Sequence, residues 1–460
     1  MHSPVNTAGL HQKIWWGIVR PAPHLIPMPA RSALKPDTRL SPGLTLAGGI
    51  TLAAWAALAW VSRMPVAPLG WMLATLGVAW GAVAWVMWRA PPRDSPAIWW
   101  FGLGFHLIAL TALPVMEDDH HRFLWDGYCF ATTGNPYAVT PQMRFGDESI
   151  PREFRPVLDQ INHPDVRTIY GPLTQGAFRA AYHVAPARLW PWKLILLGAE
   201  LAVWALLWPG LGARGRVLLA WCPLAVFESG FNAHPDLLGI MLLLAAWWLS
   251  RARRPGAAAA VVGLAVAAKL FAILLAPFLL WRLGWRAWLI ALVAAGVCYA
   301  PFWLQGSTAD LAGLRAMAAE WRFNSSVHAL VAAIAPPGLA RMICGSAFIG
   351  VWLALWRRWN RRPDLIVELP PGDLVYGGFL LLSAVANPWY CLWLWPFVAA
   401  RPTATGLAAL AAVSLSYVTG ANLGDATLAS FAHPAWLRPV EFGVIGLAAL
   451  WDWQKQKARP

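Results

Sequence analysis

The sequence predicts an all-α integral membrane protein, and three observations support that fold class. Of the 460 residues, 58% are hydrophobic and only 13% are charged, whereas ordinary soluble domains carry roughly a quarter charged residues. Uncharged stretches of about twenty residues recur, each long enough to cross a hydrocarbon core of roughly 30 Å. The 32 tryptophans suit a protein with two membrane–water boundaries, where indole rings prefer to lie.

Apolar stretches along the chain predict 12 to 14 membrane segments. The candidate spans are 43–62, 68–88, 96–115, 193–210, 217–231, 235–250, 287–304, 340–356, 374–387, 390–400, 403–422 and 437–452. Residues 257–281 have basic residues at both ends, which indicates either one long tilted span or a hairpin with Lys269 near its tip. The hairpin is favoured, because a single span would break the alternation of basic loops.

The formal charge of +14 indicates topology rather than a nucleic-acid partner. The basic residues lie in short loops between apolar stretches, without the aromatic-interleaved basic face that binds nucleic acid. By the positive-inside rule these loops, both termini and an N-terminal arm of residues 1–42 face the cytoplasm. Residues 43–460 then form a single transmembrane domain, and its largest loop, 117–192, lies on the outer face.

The segment EDDHHRFLWD, residues 117–126, places four carboxylates, two histidines and an arginine where the third span ends. Partial desolvation and mutual repulsion are expected to raise the pKa of Asp118 or Asp119, which suits a general base. Arg122 follows Asp119 by three residues and would share its helical face. Solvated charges that simply end a span are the alternative, but such a cluster among aromatic residues favours a functional site.

The segment GPLTQGAFRAAYHVAP, residues 171–186, predicts an amphipathic helix within the outer loop. Pro172 suits the first turn, and Leu173, Phe178 and Ala181 fall on one side. Such a helix is expected to lie along the membrane surface.

Six segments, in order, resemble the motifs of bacterial GT-C membrane glycosyltransferases that use polyprenyl-phosphate sugars. They are EDDHHRFLWDG…TTGNPYAVTP, INHPDVRTIYGPLTQGAF, FESGFNAHPDLLG, AAKLFAILLAPFLLW, WRFNSSVHAL and NPWYCLWLWP. Gly171 stands where the family usually has a proline, and Asn387 stands where a histidine is more familiar. The resemblance is closest to polyprenol-phosphate-mannose-dependent mannosyltransferases, which favours mannose as the transferred hexose.

The resemblance implies a GT-C fold with a catalytic first periplasmic loop, and inverting sugar transfer at the outer face of a bacterial inner membrane. The family places an Asp–x–x–Arg pair in that loop; Asp119 and Arg122 match it, so Asp119 is the expected general base and Asp118 the second choice. The leaving lipid phosphate needs cationic or hydrogen-bonding partners. The candidates for binding the donor are Arg122, Lys269, His234, Asp236, Tyr170, His163, Arg322, Trp389 and Tyr390, with Asp126, Asn135 and Tyr137 as further site candidates.

Several of these residues also have a structural interpretation. His234 and Asp236 could belong to the start of a helix, where Asp complements the helix dipole. His163 lies in a sequence typical of a turn, and Trp389 follows an expected helix break, where it could also stack on a sugar ring. Lys269 is different, because burying an unpaired lysine in a membrane is costly and therefore favours function.

No metal or other cofactor is expected to be required. Asp118, Asp119, His120 and His121 are suitable metal ligands, but adjacent residues on a helix point in different directions. The expected partners are a polyprenyl-phosphate sugar donor, a glycolipid or glycan acceptor, and membrane lipid. The main alternative is a transporter or flippase of a polyprenyl-linked or anionic substrate, which Lys269 supports; a lipid-binding scaffold is a third class, and neither needs an acid–base pair.

Overall fold

The computed structural model describes residues 42–64, 69–88, 95–115, 117–361, 368–422 and 433–458. The predicted N-terminal arm, apart from Pro42, lies outside the described residues. Within them the structure is helical, and its β pairing is an isolated parallel bridge between Phe323 and Val385. The predicted all-α class is confirmed.

Helices of very different length follow one another along the described residues. In chain order the α-helices are α1 (Pro42–Val61), α2 (Leu69–Trp88), α3 (Pro96–Thr111), α4 (Asp119–Thr133), α5 (Arg155–Asp159), α6 (Pro172–Val184), α7 (Trp190–Leu207), α8 (Ala213–Trp221), α9 (Pro223–Ala225), α10 (Asp236–Arg251), α11 (Pro255–Ala268), α12 (Ala276–Leu280), α13 (Trp285–Trp303), α14 (Leu311–Glu320), α15 (Val327–Ala332), α16 (Pro337–Asn360), α17 (Gly372–Leu382), α18 (Trp395–Ala400), α19 (Ala404–Ala412) and α20 (Leu437–Lys457). Tighter 3₁₀ turns cover Pro141–Arg144, Trp208–Gly210, Leu270–Leu274, Trp281–Leu283, Pro388–Trp393 and Val413–Asn422, and a π-helical turn covers Val226–Phe231.

Five of the described helices are long and apolar enough to cross a membrane by length and composition. They are α1, α2, α7 with its extension to Gly210, α13 and α16. The apolar helices α3, α11 and α17 are shorter, as is the segment Ala404–Thr419. Several predicted spans are therefore broken: 217–231 by a π turn, and 390–400 and 403–422 by 3₁₀ turns.

The C-terminal end of α3 is anchored, and this anchor positions the acidic segment that follows it. Lys193 of α7 is buried and donates hydrogen bonds to the carbonyl oxygens of Ala109 (3.2 Å) and Ala112 (2.7 Å). The last carbonyls of a helix have no partner within that helix, so the ammonium group satisfies them. The backbone N–H of Val115 donates to Asn232 Oδ1 at 3.1 Å, which holds the chain just before the first carboxylates.

The amphipathic helix predicted in the outer loop is α6, which begins at Pro172 as expected. Its apolar side packs against protein. Phe178 stacks on Phe123 of α4 with ring centroids 5.2 Å apart, and the rings of Phe178 and Trp192 form a T-shaped pair with centroids 4.7 Å apart. The expectation that α6 lies along the membrane surface stays a prediction, with Phe178 covered by protein. The side-chain period of an amphipathic helix is the same whether protein or lipid covers the apolar side.

The predicted helix break at Lys269 is confirmed. Helix α11 ends at Ala268, Lys269 is extended (φ −150°, ψ 125°), and a 3₁₀ turn leads into α12. The end of α11 meets α6, where Thr174 Oγ1 donates to the carbonyl oxygen of Ala268 at 2.8 Å. The returning chain reaches Arg282, which donates to the carbonyl oxygen of Trp359 near the end of α16. Lys269 therefore lies at the tip of a hairpin, beside the outer loop.

Replacing Gly171 with alanine is expected to destabilise the contact between α6 and α11. A Cβ atom at this position would lie 2.3 Å from the carbonyl oxygen of Ala267, and overpacking of this kind costs about 1–3 kcal/mol. Thermal unfolding of the purified protein in detergent should show a lower midpoint. Gly176→Ala in the same helix is the control, because a Cβ there meets nothing within 4 Å. Equal midpoints for the two variants would contradict this packing.

Candidate functional site

The loop 117–192 and several helix ends enclose a cavity of about 390 Å³. Eight predicted site residues line it, and they come from four separate parts of the chain. These are Asp119, Arg122, His163, Tyr170, Lys269, Arg322, Trp389 and Tyr390. Acidic, cationic and aromatic side chains thus share one concave site, which is the usual form of a small-molecule site.

Asp119 is the first residue of α4, and its carboxylate is held by three side chains. Asn162 Nδ2 donates to Asp119 Oδ1 at 2.7 Å and to Asp118 Oδ1 at 2.6 Å. Tyr170 donates its hydroxyl to Asp119 Oδ2 at 3.4 Å, and His234 Nε2 lies 3.6 Å from the same oxygen. Asp119 lines the cavity, whereas Asp118 lies behind it on the shared amide of Asn162.

The two carboxyl groups have opposite pKa shifts. Burial, and then repulsion from Asp119, raises the pKa of Asp118 to about 6. Burial also acts to raise the pKa of Asp119, but the hydrogen bonds and charge of His234, with Asn162 and Arg122, outweigh it and lower that pKa to about 2. A raised pKa was expected for one of the pair; it belongs to Asp118, which does not line the cavity.

His234 lies in the turn before α10, fully buried between two carboxylates. Its Nδ1 lies 2.7 Å from Glu228 Oε2, and Tyr417 donates its hydroxyl to the other oxygen of Glu228. Burial would lower the pKa of His234, but the charge of Glu228 and the hydrogen bonds to Asp119 and Glu228 raise it to about 10. Trp389 stacks on this ring, with centroids 4.1 Å apart and an interplanar angle of 11°.

Lys269 is held in an ion pair and between two aromatic rings. Its Nζ lies 3.1 Å from Asp236 Oδ2 and 5.6 Å from the ring centroids of both Tyr170 and Tyr390. Asp236 is itself oriented by Trp393, whose Nε1 donates to Oδ1 at 2.7 Å. The ion pair and the two aromatic faces thus fix the position of the ammonium group in the cavity wall.

Arg122 is mostly buried and fixes the wall of the cavity. Its Nη2 donates to the carbonyl oxygens of His163 (2.9 Å) and Val166 (3.1 Å). His163 has a left-handed backbone (φ 45°), and its ring lies 4.4 Å from that of Trp321. Arg322 is exposed at the far side of the cavity.

Three other candidates, Asp126, Asn135 and Tyr137, do not line the cavity. Asp126 Oδ2 accepts hydrogen bonds from Thr168 and Gln175, which tie α4 to the segment before Tyr170 and to α6. Tyr137 donates to the carbonyl oxygen of Tyr170 at 2.8 Å, and Asn135 donates to Gln305 at 3.0 Å. These residues hold the segments that carry the site.

The comparison with known families found a match, which covers part of the chain. Residues 173–370 match the sequence model of glycosyltransferase family 87. Family 87 is of the GT-C membrane type, so the resemblance seen in the sequence is confirmed and a membrane glycosyltransferase is indicated. The matched range includes His234, Asp236, Lys269 and Arg322. Neither a curated protein nor a solved structure matched the chain.

Several residues that line the cavity or support it did not emerge as candidates from the sequence. Glu117, Asn162, Trp321, Asn387, Ser416, Tyr417 and Thr419 line it, and Glu228 lies behind His234. Asn162 and Glu228 fall in segments that carried the family resemblance, so their polar side chains gave a signal. Tyr417 lies in an apolar stretch between a serine and a valine, and no local pattern connects it with Glu228.

The segment Glu117–Asp119 offers three carboxylate oxygens within 4.8 Å of one another. Helix α4 begins only at Asp119, so the argument that adjacent helical residues point apart does not hold for the first two. Such oxygens suit Mg²⁺, Ca²⁺ or Mn²⁺, although the amide of Asn162 already binds one oxygen on each aspartate. That the glycosyltransferase requires no metal stays a prediction.

The pKa of Asp118 near 6 predicts a step in the pH profile of kcat/KM. Above this pH Asp118 is charged and its repulsion makes Asp119 a better base; below it Asp118 is neutral and that assistance is lost. Transfer should therefore fall by about tenfold or less as the pH drops through 6. Asp118→Asn should remove the step, and its kcat/KM should stay near the low-pH value of the wild type at every pH. The control Asp159→Asn, at an exposed position, should keep the step. A step that persists in Asp118→Asn would contradict its assignment to Asp118.

Proposed function

We propose that the protein is an inverting glycosyltransferase that moves a hexose, with mannose favoured, from a polyprenyl-phosphate donor to a lipid-linked or glycan acceptor. One observation carries this proposal: Asp119 and Lys269 lie against different parts of Tyr170 in one cavity, because Asp119 accepts a hydrogen bond from its hydroxyl and Lys269 lies over its ring. Sugar transfer needs a proton acceptor on one side of the reacting carbon and a partner for the leaving phosphate on the other.

In the proposed reaction the acceptor hydroxyl oxygen attacks the anomeric carbon opposite the phosphate. Its proton passes to a carboxylate oxygen of Asp119 while the new C–O bond forms. The bond between the anomeric carbon and the phosphate oxygen breaks, and polyprenyl phosphate leaves with the electron pair. Lys269 and Arg122 stabilise the negative charge that develops on it, because preorganised cations near a developing charge lower the barrier.

The low pKa of Asp119 makes its carboxylate a weak base in the free protein, and the proposed role depends on a change when the donor binds. Cationic groups, His234 and Arg122, keep the carboxylate ionised in the free protein, so it is ready to accept a proton. A bound phosphate monoester anion would counter part of that positive charge and raise the pKa of Asp119. We infer that the base becomes stronger when donor is present.

The aromatic walls of the cavity suit a sugar. Trp321, Trp389 and Tyr390 line it, and a volume of about 390 Å³ is within the range of small-molecule pockets. The ring of Trp389 is fixed against His234, which would hold a flat apolar face beside the hexose. The positive-inside pattern favours a cavity on the periplasmic side of a bacterial inner membrane, where the lipid tail would remain in the bilayer.

Asp119→Asn is expected to lower transfer about 10²–10⁴-fold, because the amide keeps the shape of the carboxylate and removes its basicity. The assay uses purified protein, radiolabelled polyprenyl-phosphate mannose and a membrane glycolipid extract. Asp159→Asn, in the same loop but away from the cavity, should retain wild-type transfer. Full transfer by an Asp118→Asn/Asp119→Asn double variant would refute the assignment of the base, whereas no transfer from any donor by folded wild-type protein would favour a transporter. Transfer from another polyprenyl-phosphate sugar, with none from the mannose donor, would keep the mechanism and replace mannose as the proposed sugar.

Removal of divalent ions is expected to leave transfer unchanged. The proposed leaving-group partners are side-chain cations, so no metal bridge is needed. The measurement compares initial rates before and after treatment with EDTA and dialysis into chelated buffer. Loss of activity that Mg²⁺ or Mn²⁺ restores would show that the carboxylates of residues 117–119 hold a required ion.

A further inference from the structure

A second cavity, of about 280 Å³, lies beside the candidate active site. Arg322 and Phe323 line both cavities, so the two share a wall. The remaining lining residues are Ser325, His328, Ala329, Ala332, Ala333 and Arg438. Its polar groups thus come from α15, from the segment before it and from the first turn of α20.

His328 is the buried polar group of this second cavity. It is 1% exposed, and neither ring nitrogen has a hydrogen-bond partner in the described part of the chain. Burial, with the charges of Arg341 and Arg322, lowers its pKa, so the ring is neutral at physiological pH and carries one N–H. A buried donor with no partner costs free energy that a bound acceptor would recover.

The charges around His328 are mainly positive. Arg322 and Arg438 line the cavity, and Arg341 lies close enough to influence the imidazole. The Nε atoms of Arg341 and Arg438 are buried without a hydrogen-bond partner among the described residues. Glu441 also lies in this region, but both of its carboxylate oxygens accept from Asn324 Nδ2, at 2.9 and 3.1 Å.

A sharp turn brings these groups together. Asn324 has a left-handed backbone (φ 45°) and is fully buried. Before it, Phe323 pairs with the chain at 384–386 through two backbone hydrogen bonds. After it, the chain enters α15 and presents His328 to the cavity. The site is thus built on fixed backbone.

We propose that the second cavity binds a phosphate-ester or phosphate anion, with Arg322 and Arg438 as cationic partners and the His328 N–H as a further donor. Guanidinium groups match the several oxygens of a phosphate better than a single point charge does. The anion comes either from the headgroup of an anionic lipid or from free phosphate. Because Arg322 also lines the first cavity, occupancy of one site alters affinity at the other, and this coupling is reciprocal.

The test measures binding of two probes to the full-length protein in an uncharged detergent. Inorganic phosphate is titrated calorimetrically, and phosphatidylglycerol is counted by native mass spectrometry against phosphatidylcholine. Arg438→Gln and His328→Gln are each expected to weaken binding about tenfold or more. Arg315→Gln, on exposed α14 surface outside both cavities, should leave binding unchanged, and thermal unfolding checks that each variant is folded.

The outcomes separate the two sources and the two cavities. Binding of phosphatidylglycerol alone identifies a lipid headgroup, and binding of inorganic phosphate identifies a free anion. Either result supports the second cavity as the site if Arg438→Gln weakens the binding of that probe. Binding that is lost only in Lys269→Gln belongs to the first cavity and overturns the proposal, as does the absence of binding by either probe. Sugar transfer by the Arg438→Gln variant tests the proposed reaction separately, because Arg438 lies outside the first cavity.

Discussion

The imidazolium of His234 lies between two carboxylates, Asp119 of the outer loop and Glu228 of the helical core. Two buried carboxylates that shared this space without a cation would repel each other, and one of them would take up a proton. The positive charge therefore keeps Asp119 ionised and joins the loop to the core. Tyr417 adds a hydrogen bond to Glu228, so the arrangement extends from the loop to the turn before the last helix.

Irregular backbone surrounds the cavity on several sides. The π turn Val226–Phe231, the extended Lys269 and the 3₁₀ turns Pro388–Trp393 and Val413–Asn422 all carry residues of the site or of its support. Non-helical backbone at membrane depth is stable only where protein or a water-filled cavity meets its polar groups. The interruptions in the predicted spans thus coincide with the positions where the chain must place polar side chains.

The sequence predicted those features that depend on composition and on local charge. Apolar stretches predicted the class of the protein, and basic residues at both ends of one stretch predicted the break at Lys269. The acidic cluster predicted that Asp119 belongs to a site. The sequence could not predict the contact between Tyr417 and Glu228, because those residues are far apart in the chain and no local pattern connects Tyr417 with Glu228. The packing of α6 on α4 also depends on tertiary contacts, because the same apolar periodicity is found in helices that pack on lipid and in helices that pack on protein.

The ion pair between Lys269 and Asp236 has a kinetic consequence for the proposed enzyme. A free ammonium group in an apolar cavity would hold a phosphate anion tightly and lengthen its residence time. Here Lys269 already has a carboxylate at 3.1 Å, so a phosphate must share that charge and the ammonium can return to Asp236 as the product leaves. Under this arrangement, the affinity for the spent lipid carrier is lower than with an unpaired ammonium group, which favours its release after each turnover.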